Sequence, residues 1–176
     1  MKILNFMQIF TNYQFEKAFP AEMETLADLA AQIWPDTFSS ILTEDQIAYM
    51  LNWMYAPAQL RSQLSEGHDF YFLRTNGTEI GFVGLEKNYP EKGMLRIHKI
   101  YLLPQFQGKN LGKFMLEETE KIARMENLHS LHLNVNRFNK AKDFYLKMGF
   151  VVVKEEDIAI GNGYLMEDYV MSKTLN

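Results

Sequence analysis

One stretch of the chain, Leu95-Arg96-Ile97-His98-Lys99-Ile100-Tyr101-Leu102-Leu103-Pro104-Gln105-Phe106-Gln107-Gly108-Lys109-Asn110-Leu111-Gly112-Lys113, holds most of the residues that could do chemistry. A strand runs into a tight polar turn, and the turn opens directly into a helix. The first amides of a helix lack partners inside it and point outward with the positive end of the dipole, so they can cradle a pyrophosphate. Gly108 and Gly112 let backbone approach an anion closely, and Asn110 is the next-best residue to glycine for a left-handed backbone. Lys109 and Lys113 add local positive charge to a chain of formal net charge −4. His98, with an ordinary pKa of about 6.5, can accept a proton, and reads equally as a hydrogen-bonded structural histidine. Taken alone the segment stays open: a bare C-cap and loop, or a dinucleotide fingerprint. It lacks the glycine count of G-x-G-x-x-G, and the sequence has no G-x-x-x-x-G-K-[ST].

These residues need elements to position them. Pro20 followed by Met23, Leu26, Ala27, Ala30 and Trp34 predicts a helix over 20–34 that Pro35 stops. Thr43-Glu44-Asp45-Gln46 is a capping box, and Ile47, Met50, Leu51 and Met54 continue one apolar face. A third short helix follows Pro57, with Leu60 and Leu64 inward. The pattern then switches to strands over 68–74 and 80–86, joined by the hairpin signal Asn76-Gly77. A strand over 94–103 is closed by Pro104. Residues 111–127 form a helix with Leu111, Phe114, Met115, Ile122 and Met125 inward. A strand over 131–135, a helix over 139–148 and two strands turning at Gly161-Asn162-Gly163 complete the chain. This order predicts an α/β or α+β sheet with helices on its faces.

The 176 residues fit one domain over 1–176, and an apolar share of 47% suffices for a full core. The absence of cysteine excludes disulfides, thiolate metal sites and a cysteine nucleophile, and fits a reducing compartment. No apolar run approaches the roughly 20 residues that span a bilayer. The start, Met1-Lys2-Ile3-Leu4-Asn5-Phe6, carries one Lys and no small-residue cleavage site, so no signal peptide is read and a cytoplasmic location is expected. The negative charge argues against nucleic-acid binding and would mildly attract a cationic substrate. Eleven methionines and 14% aromatics read as core filling.

Pro104 to Lys113 resembles the acyl-CoA signature of the GCN5-related N-acetyltransferases (GNAT), Q/R-x-x-G-x-G/A: Gln107 matches the first position, Asn110 stands at the middle glycine, and Gly112 matches the last small residue. Leu133 to Phe150 resembles the family's N-x-x-A-x-x-F-Y-x-K-x-G-F through Ala141, Phe144, Tyr145, Lys147, Gly149 and Phe150. Asn139 is out of step there, two residues before Ala141 rather than three, with Phe138 in the usual place. The resemblance covers residues 12 to 174. It implies a mixed, mostly antiparallel sheet of about six to seven strands with helices on both faces, acetyl-CoA as co-substrate, no metal, and an amine acceptor. Two strands, 94–103 and 131–135, would splay apart around the pantetheine arm, with Ile100, Tyr101 and Leu102 on one side. Gln107, Gly108, Lys109, Asn110, Leu111, Gly112, Lys113 and Asn139 would complete the cofactor site. Tyr145 matches the family's general acid, and a Leu102 amide would stabilise the oxyanion. Many relatives carry a glutamate base where Arg96 stands; His98, two residues on and therefore on the face of Arg96 and Leu102, is the replacement candidate. Ile33-Trp34-Pro35, Tyr49-Met50 and the ending Glu167 to Lys173 resemble the PaiA-type branch, which includes spermidine/spermine acetyltransferases. Trp34, Phe38, Tyr49, Trp53, Tyr169 and the carboxylates Glu155, Glu156, Asp157, Glu167 and Asp168 would then suit a polyamine, although a solvated acidic surface over core aromatics reads equally well. Peptide N-terminal acetylation and a non-catalytic acyl-CoA-binding role are the alternatives. Homodimers are common in the family.

Overall fold

In the computed structural model, which describes residues 12–175, period-two patterning has become seven strands of one sheet. The reading of Met1 to Phe6 lies outside the described residues. The strands are β1 (Tyr13–Lys17), β2 (His68–Thr75), β3 (Thr78–Lys87), β4 (Met94–Leu102), β5 (Ser130–Asn136), β6 (Val151–Gly161) and β7 (Tyr164–Thr174), in the order β1-β2-β3-β4-β5-β7-β6. Every neighbouring pair is antiparallel except β4 and β5. The mixed, mostly antiparallel sheet is the one expected. The Asn76-Gly77 turn has φ of 50° and 76°, the two left-handed residues that a two-residue hairpin requires. The short edge strand β1, rich in charge, was not foreseen.

The α-helices among the described residues are α1 (Met23–Phe38), α2 (Glu44–Tyr55), α3 (Pro57–Ser65), α4 (Leu111–Met125) and α5 (Ala141–Lys147). The Thr43 hydroxyl caps α2 by accepting from Gln46 N at 3.2 Å. Pro35 does not stop α1. Ser39 N donates to Pro35 O at 2.9 Å, so helical pairing resumes beyond the ring. Phe38, 8% exposed and 4.5 Å from the Trp34 ring, supplies burial that offsets the missing proline N–H. Met125 is not inward either, at 82% exposure. The buried stripe of α4 runs through Leu111, Met115, Leu116, Thr119 and Ala123. Six residues on from Thr119, Met125 lies about 120° around the helix.

Helices cover both faces. Phe70, Phe82, Lys99 and Tyr101 meet α1–α3, through Trp34–Tyr101 and Tyr55–Phe82 ring contacts and the Lys99–Gln63 hydrogen bond. The opposite face carries Leu95, Ile97, Leu131 and Leu133, all at or below 2% exposure. There α4 is fastened by Glu120 to Lys173 at 2.5 Å and Glu126 to Lys87 at 2.7 Å. A full leucine burial contributes about 1.5–3 kcal/mol, so these apolar rows, more than the ion pairs, hold the layers.

A bulge in β4 decides which residues share a face. Gly84 opposes Lys99 and Leu85 opposes Ile97, leaving His98 as the extra residue. Arg96, Lys99 and Tyr101 therefore lie with Glu86, Gly84 and Phe82, whereas Ile100 and Leu102 lie on the α4 face. His98, bonded to Glu86, joins Arg96 as expected. Leu102 does not, because the inserted residue shifts the alternation by one.

Candidate active site

The pairing of β4 with β5 covers only Met94–Ile97 against Ser130–Leu133, although the strands run on to Leu102 and Asn136. Beyond Ile97 they part. Leu103 N donates to Ile80 O at 2.8 Å, and the alternation of an antiparallel ladder then turns the amides of Ile100 and Leu102 away from β3, toward the gap. Gln107 Nε2 reaches the Leu102 carbonyl at 3.3 Å. Along the gap runs a cleft of about 680 Å³, lined by Ile100, Tyr101 and Leu102 on one side and Leu133 to Asn136 on the other. A second hollow, of about 610 Å³ between α1 and the β2–β3 turn, contains none of the expected site residues.

The polar turn borders the cleft. Gly108 has φ of 74°, and Asn110, at φ 61° and ψ 12°, holds the left-handed conformation inferred for it. The helix begins at once, with Phe114 N bonded to Asn110 O at 3.0 Å as the first rung of its ladder, and the turn's amides precede that rung. Gln107, Gly108, Asn110, Leu111, Gly112 and Lys113 line the cleft. Lys109 is not among its walls; the ammonium lies over the Phe106 ring, 5.0 Å from its centre. Asn139 lines the cleft and, through Oδ1, accepts from Ala141 N at 2.9 Å, which starts α5.

The acetyltransferase (GNAT) domain family matches residues 39–173. The chain belongs to this family. It is 31% identical over 152 residues to the spermidine N(1)-acetyltransferase of Thermoplasma acidophilum, covering 83% of this chain and 90% of that protein. The crystal structure of the PaiA N-acetyltransferase from the same organism, in complex with coenzyme A, superposes with a TM-score of 0.78 at 26% identity, over 93% of this chain and 99% of that one. A GCN5-related N-acetyltransferase from Rhodopseudomonas palustris shares the fold, with a TM-score of 0.79 at 19% identity over 94% and 97% of the two chains. This GNAT enzyme is thus an acetyltransferase whose acyl donor is acetyl-CoA. No helix among the described residues is long and apolar enough to cross a membrane.

Tyr145, on α5, and His98, on β4, line the same GNAT cleft. Tyr145 is 8% exposed, its ring against Phe150, and burial raises its phenol well above the ordinary value. His98 Nε2 lies 2.8 Å from Glu86 Oε2. Burial first, then the Lys99 charge and the neighbouring His68, Arg96 and His132, push the His98 pKa down to about 2. The Glu86 carboxylate opposes that direction, because a hydrogen bond to an anion favours imidazolium. Arg96, at the position of the usual glutamate, is directed at His132 Nδ1 on the paired strand, and burial with the Arg96 charge lowers His132 to about 4. Lys99, 7% exposed, drops to about 8 through burial.

The residues expected around the acceptor separate into groups. Phe38 lines the cleft, whereas Trp34 is core at 2% exposure. Tyr49 and Trp53 lie on α2, with Tyr49 bonded to Ile160 O at 2.5 Å and Trp53 44% exposed. Glu155, Asp157 and Glu167 surround Arg137, which neutralises part of their charge. Glu156 and Asp168 share the Asn134 amide, at 2.8 and 3.2 Å, and Asn134 lines the cleft. Lys142, not a carboxylate, sits on the Tyr169 ring, at 3.9 Å. Sequence reasoning missed Asp36 in the cleft wall, and Glu86 and Lys99 beside His98. Glu86 was visible as the polar end of a strand otherwise apolar from Phe82 to Leu85. Nothing in the sequence marked the bulge that turns Lys99 inward.

Proposed function

We propose that the enzyme acetylates a primary amine of a small polycation of the polyamine class by direct transfer from acetyl-CoA. One observation carries this reading. Helix α2 is clasped to the final hairpin: Tyr49 Oη donates to Ile160 O at 2.5 Å, Gln46 Nε2 donates to Leu165 O at 3.2 Å, and the Tyr49 and Tyr164 rings lie 5.5 Å apart. A peptide acceptor needs an open groove between these elements, whereas a clasped one suits a slender amine. Asp36, and Glu156 with Asp168 behind Asn134, supply negative charge at the walls, and the kinship to a spermidine N(1)-acetyltransferase supports the same class.

In this reading the pyrophosphate rests on the amides of 107–113, with Lys113 beside it and Lys109 contributing at longer range. Asn139 borders the cofactor, and Tyr101 closes the wall. The pantetheine pairs with Ile100 and Leu102, and an amide of that strand receives the developing oxyanion. His98 takes the proton of the attacking amine, and Tyr145 protonates the departing sulfur. The test is release of free thiol from acetyl-CoA across a panel of polyamines, monoamines and peptide N-termini. Polyamines should give the highest kcat/KM. Turnover confined to peptides would refute the acceptor class.

A further inference from the structure

The β4 bulge sets consecutive side chains, His98 and Lys99, toward the same face. The Lys99 ammonium is buried against an amide and two rings rather than a carboxylate: Gln63 Oε1 at 2.9 Å, with the Tyr55 and Phe70 centroids at 5.2 and 5.7 Å. His98 faces His68 from β2, stacked at 4.7 Å, and Glu86 from β3. Tyr89 borders it at 5.8 Å from the connection that follows β3. Arg96 and Lys99 on β4 and His132 on β5 act on it electrostatically, and Glu66, just past α3, acts on Glu86 and His68. A carboxylate can only accept, so the Glu86 bond fixes the hydrogen on Nε2 and leaves the lone pair on Nδ1.

We propose that Glu86 and Lys99 are positioning residues for acyl transfer: Glu86 holds His98 in the Nε2–H tautomer with Nδ1 turned to the amine, and Lys99 keeps that ring neutral until the proton arrives. The proposal rests on the reading of His98 as the base. The amine nitrogen bonds to the thioester carbon and the carbon–sulfur bond breaks. The proton from nitrogen passes to His98 Nδ1, and the sulfur takes the Tyr145 phenolic proton. Imidazolium then returns its proton to solvent, from which the phenolate is reprotonated, and the products are the acetamide and free coenzyme A thiol.

The donor atoms of His68, Glu86 and His98 lie within 4.8 Å of one another, a spacing that also suits a metal ion. Two features favour a proton instead. Arg96 and Lys99 flank the cluster with positive charge, and the two rings are stacked 25° from parallel, so their lone pairs do not converge on one point.

The test compares the full-length enzyme with Glu86→Gln, Lys99→Met, Lys99→Gln and His98→Gln. It reads kcat/KM against pH with one fixed polyamine, and the side-chain ¹⁵N spectrum of the four histidines. His98→Gln assigns the signal and lowers kcat on the order of 10²-fold. The wild type should report the Nε2–H tautomer. Loss of Glu86 should move the acid limb to lower pH and reduce kcat at least about tenfold, whereas loss of Lys99 should move that limb to higher pH. A merely structural role would not displace the limb in opposite directions. The Nδ1–H tautomer, limbs that move together or not at all, or zinc retained through purification would each overturn the proposal. Full activity in His98→Gln overturns it while leaving the acetyltransferase reading intact. A wild type that binds coenzyme A but acetylates no amine overturns both.

Discussion

Arg96 donates to His132 Nδ1 across the one parallel strand pair of the sheet, immediately before that pair comes apart. The two residues are in register, so the contact ties β4 to β5 at the vertex of the gap. Arg96 also adds positive charge near Glu156 and Asp168, alongside Lys154 at Glu156 and Arg137 near Asp168. Replacing it by Met removes a charged hydrogen bond and leaves those carboxylates less compensated. Arg96→Met should cost about 2 kcal/mol in urea unfolding. An unchanged midpoint would show the pair to be idle.

The phenol of Tyr145 stays protonated far above neutral pH because of its burial. Tyr145→Phe should lower kcat on the order of 10²-fold while leaving coenzyme A affinity from calorimetry unchanged. Equal loss in both quantities would reassign the residue to binding.

Asn110 holds φ of 61° at the start of α4. Asn110→Gly should be tolerated, whereas Asn110→Val forces a β-branched residue into the left-handed region at about 1–2 kcal/mol and should weaken coenzyme A binding. Equal affinity in the two variants would remove the turn from the cofactor site.

Gly81 lies where a Cβ would meet the Tyr101 carbonyl oxygen at 2.7 Å and Leu102 Cδ1 at 3.0 Å. Gly81→Ala should push β4 into the gap, destabilising the fold by about 1–3 kcal/mol and raising KM for acetyl-CoA more than for the amine. A rise confined to the amine would contradict that placement.

His132, lowered to about 4, is neutral in the folded protein where the unfolded chain, near 6.5, takes up a proton. Its contribution is complete above pH 6.5 and fades as the pH falls toward 4. Lys99, lowered to about 8, behaves alike at higher pH: the unfolded chain binds more protons between 8 and 10.5, so stability should rise over that window. Urea unfolding from pH 5 to 10 should show both slopes, and Lys99→Met should abolish only the alkaline one.

The legible parts of this molecule were those fixed by short-range rules. Asn76-Gly77 located the hairpin, Thr43 capped its helix, and Asn110 held the left-handed turn, because each depends on a few neighbours. Pro35 misled, since only the tertiary burial of Phe38 lets a helix continue past it. Met125 misled for a related reason: which arc of α4 faces inward is set by the sheet, with Thr119 at its centre. Leu102 was assigned the wrong face because a bulge is a property of strand pairing and leaves no mark in one strand. That bulge also hid the companions of His98. The acidic tail looked free for a cation until Arg137 was seen among Glu155, Asp157 and Glu167.

The parting of β4 and β5 has a consequence for the life of the enzyme between turnovers. Beyond Ile97 no pairing joins β4 to β5, and in the reading proposed above a thioester arm lies down there as a temporary strand. In that reading coenzyme A is in part a component of the β-architecture, and its arrival should stiffen the protein's middle, slowing amide hydrogen exchange at Ile100 and Leu102 more than at the rim.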